Sequence, residues 1–142
     1  MGQTGGVLGS IEFLEFEEVV EINRRMIAAY GGFFTEGDDN LANPGSLKHI
    51  LEMIQGSLIG HDPYPTVVEK AAILAWRIIE GHIFHDGNKR TGFESCRLML
   101  DLNGYTMRID RDVVDMAIQI CEGQVSFSDF VQWLKERLVE EP

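Results

Sequence analysis

Apolar residues recur at helical spacing in the first third of the chain. Between residues 16 and 30 they return every three or four positions and Gly31 follows them, which predicts a first helix. Residues 33–45 are dominated by Gly, Asp, Asn and Pro after two aromatic residues, which predicts a loop or a short hairpin. A short second helix is then expected from an N-cap at Ser46 through Gly56.

The middle of the chain contains its most apolar segment. After a second loop at 57–65, Thr66 and Glu69 form a capping-box pattern, which predicts that a helix begins at Val67. Residues 67–80 are apolar nearly all round, and such a helix is buried at the centre of its domain.

Three more helices are predicted in the rest of the chain. We expect one helix at 88–103, a second that is capped by Asp110, and an amphipathic one that Ser126 opens and that continues to Leu138. Residues 104–109 are the one segment with a weak strand pattern. The chain is thus expected to form about six helices around a buried central helix, which predicts an all-α fold.

Length and charge limit what the molecule does. Its 142 residues suit one domain, expected at 11–142 after a flexible Gly-rich lead-in at 1–10. A net charge of −11 repels nucleic acid and anionic membranes, so direct binding to either is not expected. No apolar run approaches the ~20 residues of a membrane span and no secretory signal pattern is present, which indicates a cytoplasmic protein. Cys96 and Cys121 lie in apolar helical patterns and are expected to be free thiols.

The segment GHIFHDGNKRTG, residues 81–92, places polar and glycine-containing backbone between two buried helices. Gly87 precedes a predicted helix start, where free N–H groups and the helix dipole favour an anion such as phosphate. Lys89 and Arg90 add two positive charges at the same point of an acidic protein. This pattern predicts a phosphate-binding site.

Two further side chains of the segment carry chemistry. Asp86 supplies carboxylate oxygen, the ligand type that Mg²⁺ prefers. His82 is able to take a proton from a hydroxyl nucleophile near neutral pH. A base, a cation ligand and a phosphate site together predict phosphoryl or nucleotidyl transfer. The glycine and lysine spacing differs from that of a P-loop, so that motif is excluded.

The run from His82 to Arg90 resembles the signature H-x-F-x-[DE]-G-N-[GK]-R of the Fic/Doc family, with all seven constrained positions matched. The similarity extends from about Ile11 to Leu138 and includes GHDPYP before the central helix and NGY after the signature helix. The resemblance implies a Fic fold in which residues 33–45 form a flap that pairs with a target peptide. From the residues alone, an ordinary surface connection is the alternative for this segment.

The resemblance also implies a role for each signature residue. His82 would be the general base, Phe84 would anchor the loop in the core, and Asp86 would bind Mg²⁺. Gly87 and Asn88 would hold the phosphates of ATP, through backbone N–H groups and the Asn88 amide. Lys89 and Arg90 would contact the phosphates and neutralise their charge.

Two positions favour one branch of the family. Members that transfer AMP usually have Gly where this chain has Lys89, and a second Arg where it has Phe93. Members similar to the death-on-curing toxin have Lys at the first of these positions. This resemblance implies a protein kinase that moves phosphate from ATP to a Ser/Thr hydroxyl of a target protein. The resemblance further implies that the target is elongation factor Tu and that its modification blocks translation. Two alternatives stay open: a protein AMP-transferase, and an inactive interaction module that keeps the fold.

Many relatives carry an inhibitory helix with the pattern [ST]-x-x-x-E-[GN]. None of the three Glu-Gly pairs of this chain has Ser or Thr four residues earlier, so the pattern is absent from the sequence. The resemblance then implies control by a separate small antitoxin whose disordered segment folds on binding. We expect such a segment to need an apolar groove beside Arg90 and the first helix.

Overall fold

The computed structural model describes residues 10–56 and 62–140, so the predicted lead-in up to residue 9 and most of the second loop lie outside it. The described ranges contain six helices and two short antiparallel strands, and the predicted all-α architecture is confirmed. The helices are α1 (Phe16–Tyr30), α2 (Pro44–Ile54), α3 (Val67–Glu80), α4 (Asn88–Leu102), α5 (Asp112–Cys121) and α6 (Phe127–Lys135). The strands are β1 (Tyr105–Met107) and β2 (Leu138–Glu140).

Helix α3 is the centre of the fold, as its apolar sequence predicts. Thr66 and Glu69 form the expected capping box, and nine of the 14 helical residues are buried. The other helices α2, α4, α5 and α6 pack around it. Helix α4 approaches most closely, because Gly92 faces α3: a Cβ there would lie 2.7 Å from Ile79 Cγ1. The segment that connects α3 and α4 is thereby fixed between two packed helices.

Three predicted helices have wrong boundaries. The N-cap of helix α2 is Asn43, three residues before the predicted Ser46, because proline at the first position, Pro44, already has helical φ. The same helix ends at Ile54 rather than at Gly56. Helix α5 begins at Asp112, although the Asp110 carboxylate still accepts the Asp112 N–H at 3.0 Å.

The third of these helices differs at its C-terminal end. Helix α6 ends at Lys135, and Leu138 belongs to strand β2, which pairs with β1 so that Met107 lies opposite Leu138. The weak strand pattern at 104–109 is therefore confirmed, but its partner strand was missed. Three residues of strand are too few for the period-two alternation that identifies a strand from sequence.

Residues 33–43, called the flap below, do not form the hairpin that was one of the two predictions for this region. They contain a single 3₁₀ turn, Glu36–Asp38, and their one strand-like bridge joins Leu41 to Phe84. The strand-like pairing of the flap is thus with the α3–α4 loop.

Neither described cysteine forms a disulfide. Complete burial raises the pKa of the Cys96 thiol to about 12, so this thiol stays protonated and unreactive. No helix within the two described ranges has the length and apolar character needed to cross a membrane.

Candidate active site

Residues 81–87 form the loop that connects α3 to α4, and its first turn has unusual backbone geometry. His82 has φ +48°, the left-handed region that non-glycine residues rarely adopt, and its side chain is exposed. The next two residues, Ile83 and Phe84, are each only 1% exposed. The chain therefore presents His82 to solvent while it inserts the following two side chains into the core.

The loop is closed by a reciprocal contact between Asn88 and Phe84. The Asn88 Oδ1 accepts the Phe84 N–H at 2.8 Å, and the Asn88 Nδ2 donates to the Phe84 carbonyl, also at 2.8 Å. Both ends of this side-chain amide are therefore engaged within the protein.

The flap is attached to the outer side of this loop by main-chain hydrogen bonds. Ala42 N–H donates to the Ile83 carbonyl at 2.9 Å, and His85 N–H donates to the Asn40 carbonyl at 2.9 Å. At the flap's 3₁₀ turn, the His85 Nε2 lies 2.9 Å from Asp38 Oδ2. A hydrogen bond from the Thr35 hydroxyl, followed by the one with His85, lowers the pKa of Asp38.

Helix α4 begins with a geometry suited to an anion. Its N-cap is Gly87, at φ +77° and ψ +18°, and no side chain caps the first-turn N–H groups. Helices α1, α3, α5 and α6 all carry an acidic residue in the first turn, whereas α2 and α4 have none there. The first turn of α4 has Lys89 and Arg90 instead. Cations at that end oppose the helix dipole by about 0.3–1 kcal/mol unless an anion lies between them.

The Asp86 carboxylate lies between the flap and this helix start. Its Oδ1 accepts the Gly87 N–H at 2.9 Å and its Oδ2 accepts the Phe33 N–H at 3.2 Å. Within the described residues no group of three or more acidic, histidine or cysteine side chains could hold a metal. A single half-buried carboxylate fits Mg²⁺, which usually takes one or two protein ligands and completes its shell with phosphate and water.

Arg90 lies at the border between the helix start and a neighbouring groove. Its guanidinium carbon is 4.0 Å from the centre of the exposed Tyr30 ring, a cation–π distance. The groove has a volume of about 320 Å³. Its walls come from α1, α4, α5 and the residues before α5, and its apolar lining is Met26, Tyr30, Phe93, Ile109, Val113, Val114 and Ala117.

Sequence reasoning missed two buried amides behind the site, Asn23 on α1 and Asn40 in the flap, both 0% exposed. A signal for Asn23 was present, because it occupies a core-facing position within the apolar repeat of α1. Asn40 had none, since it lies in a segment where Asp, Asn and Gly are ordinary turn residues.

The chain matches known proteins over most of its length. The model of the Fic/DOC family matches residues 13–100. The chain is 26% identical over 119 residues to "Protein kinase doc" of Escherichia phage P1, which covers 84% of this chain and 90% of that protein. It is 29% identical over 92 residues to "Toxin Doc" of Mycolicibacterium smegmatis, over 65% of this chain and 71% of that protein.

Proposed function

Because the chain belongs to the Fic/Doc family, on its death-on-curing branch, we propose that it is a toxin-like protein kinase. It transfers phosphate from ATP to a Ser/Thr hydroxyl of a target protein, by resemblance elongation factor Tu. The observation that carries the proposal is the start of α4, where an uncapped helix end and two cations adjoin the Asp86 carboxylate. The name of the phage relative supports phosphate as the transferred group.

Each signature residue has a task in this reaction. His82 accepts the hydroxyl proton of the target as its oxygen attacks the terminal phosphorus of ATP. The bond between that phosphorus and the bridging oxygen breaks, and the electron pair leaves on ADP. Asp86 would hold Mg²⁺, which would supply charge neutralisation for the phosphates. The N–H groups that follow Gly87 bind phosphate oxygens, and Lys89 and Arg90 stabilise the negative charge.

Phe93 favours phosphate transfer over AMP transfer. AMP-transferring relatives usually have a second arginine at this position. Here the side chain is 6% exposed, with its ring centroid 5.9 Å from that of Phe130 and 6.0 Å from that of Trp133. The position is thus part of the aromatic core, and this chain offers no cation there for a second phosphate.

Expression of the chain in bacteria tests the proposal. We expect growth arrest, with a target protein heavier by one phosphate group on Ser or Thr. The His82→Ala variant should permit growth, while His85→Ala, at an exposed histidine of the same loop, should still arrest it. A target heavier by one AMP would establish the first alternative. Normal growth with ATP bound but no modified protein would establish the inactive module.

The groove beside Arg90 supports control by an antitoxin. Tyr30 and Val114 in its lining are more than half exposed, and Lys89 and Arg90 lie at its edge. An amphipathic segment that folds on binding would cover such a surface with apolar side chains and place acidic ones near the cations.

Co-expression of the small gene adjacent to this one should relieve the growth arrest. Val114→Glu in the groove should prevent that relief. Ile118→Glu, one turn further along the exposed side of α5, should leave it intact, because Ile118 does not line the groove. Equal relief of both variants would contradict the groove assignment.

A further inference from the structure

Asn23 and Asn40, called the amide pair below, are two side chains that the proposed reaction does not use. Both are completely buried, and the Asn40 Nδ2 donates to the Asn23 Oδ1 at 2.9 Å. Burial of amides is costly unless their hydrogen bonds are satisfied. The destinations of the remaining bonds therefore indicate what the pair holds in place.

On one side, the amide pair holds the residues that precede α4. The Asn23 Nδ2 donates to the Asp86 carbonyl and to the Thr91 Oγ1, each at 2.9 Å. Gly87 packs against the same amide, since a Cβ at that position would lie 3.1 Å from the Asn23 Nδ2. Asn23 thus fixes the peptide between Asp86 and Gly87 relative to the first turn of α4.

On the other side, the amide pair holds the flap. The Asn40 Oδ1 accepts the Thr35 N–H at 3.2 Å, and the Asn40 carbonyl accepts the His85 N–H at 2.9 Å. Asn40 has φ +59°, a conformation that Asn tolerates better than most residues. Apart from the bond between the two amides, the side-chain bonds of the pair therefore end on the flap, on the α3–α4 loop or on the first turns of α4.

We propose that Asn23 and Asn40 are positioning residues that couple the flap to the phosphate-binding start of α4. Through them, the flap backbone, the Asp86 carboxylate and the N–H groups after Gly87 keep one fixed relative geometry. The coupling exists in the free chain, and only its consequence for Mg·ATP rests on the proposed function.

The substitution Asn40→Gly removes the amide and retains a residue for which the left-handed backbone is unstrained. Asp39→Gly is its matched control, because Asp39 is the adjacent residue, has φ +54° and is exposed. Hydrogen exchange of the full chain should become about tenfold faster in peptides from the flap and from 82–92 with Asn40→Gly, as expected for one or two lost hydrogen bonds. Peptides from α6, and all peptides of Asp39→Gly, should exchange like the wild type.

Faster exchange confined to the flap would overturn the proposal, since the loop would then not depend on the pair. Equally faster exchange throughout α3 and α6 would overturn it as well, because it would indicate a general structural role. With Mg·ATP, calorimetry should give about tenfold weaker binding for Asn40→Gly than for Asp39→Gly, and equal binding would contradict positioning. A wild-type chain that binds no Mg·ATP would refute the proposed function and leave the exchange result to decide the coupling.

A second pair of variants tests the Asn23 side. Thr91→Val keeps the shape of the buried side chain and removes the hydroxyl that accepts from Asn23, whereas Thr91→Ser keeps that hydroxyl. Faster exchange at 82–92 is expected for Thr91→Val, with wild-type exchange restored in Thr91→Ser. Equal exchange in the two variants would contradict the role of Asn23.

Discussion

Replacing Gly32 by Ala would displace the Asp86 carboxylate. A Cβ at Gly32 would lie 2.6 Å from Asp86 Oδ2 and 3.3 Å from its Cγ, whereas a Cβ at Gly31 would meet nothing within 4 Å. Both glycines have positive φ, +103° at Gly31 and +117° at Gly32. The two alanine substitutions therefore introduce similar backbone strain, and only one of them pushes against Asp86.

The size of the effect follows from these distances. The backbone strain should lower the free energy of unfolding by about 1–3 kcal/mol in both variants. In Gly32→Ala the carboxylate must also retreat from 2.6 Å to an ordinary 3.4 Å contact, a shift of about 0.8 Å, or the flap must move by as much. Either movement breaks the hydrogen bond from Phe33 N–H, which should cost about 1 kcal/mol more. Misplacement of a binding group by about 1 Å can lower turnover about 100-fold.

Urea unfolding and calorimetry with Mg·ATP separate the two effects. We expect Gly31→Ala to lose stability and keep the wild-type affinity for Mg·ATP. Gly32→Ala should lose slightly more stability and bind or turn over Mg·ATP about 10- to 100-fold less well. If the two variants bind and turn over Mg·ATP equally, Asp86 is not the group that holds the ion.

Three further substitutions test the other signature residues. His82→Ala, at an exposed position, should leave thermal unfolding nearly unchanged and lower the rate of target labelling by about 10²–10⁴-fold, and an unchanged rate would exclude His82 as the base. Phe84→Ala removes a ring that is 1% exposed and should lower the free energy of unfolding by about 3–5 kcal/mol in urea titrations, so a loss below about 1 kcal/mol would show that the loop is not anchored there. Lys89→Gly removes charge and bulk from the helix start, so it should slow phosphate transfer and favour AMP transfer, and the mass of the labelled target would show which group was transferred. An unaltered rate and product would contradict the assignment of phosphate-transfer specificity to Lys89.

Helices with strong local signals were predicted well. The capping box at Thr66 and the apolar repeat after it define α3 to the residue, and Gly31 marks the end of α1. Features that depend on distant partners were not predictable. The second strand exists because Leu138 pairs with Met107, 31 residues earlier in the chain. The start of α2 is a different case: it was misjudged although Asn43 and Pro44 carry a local signal for a helix start.

The candidate site also has a part that the sequence predicts and a part that it does not. The signature gives its residues directly, since it is contiguous in sequence and occupies one loop and one helix turn. What holds that loop comes from elsewhere, from Asn23 on α1 and Asn40 in the flap. Lys70 is a similar case: it is 2% exposed and its ammonium donates to the Ile54 carbonyl at 2.6 Å, a contact that no pattern in its own helix indicates.

The attachment of the flap through backbone atoms bears on how this protein can diversify. The bonds from Ala42 and His85 use N–H and C=O groups that every residue other than proline possesses, so they place little demand on flap sequence. An outward residue such as Gly37, where an added Cβ would meet nothing within 4 Å, can therefore vary without loosening the loop beneath it. Substitutions at such positions would change the outer surface of the flap and leave its backbone bonds to the α3–α4 loop in place.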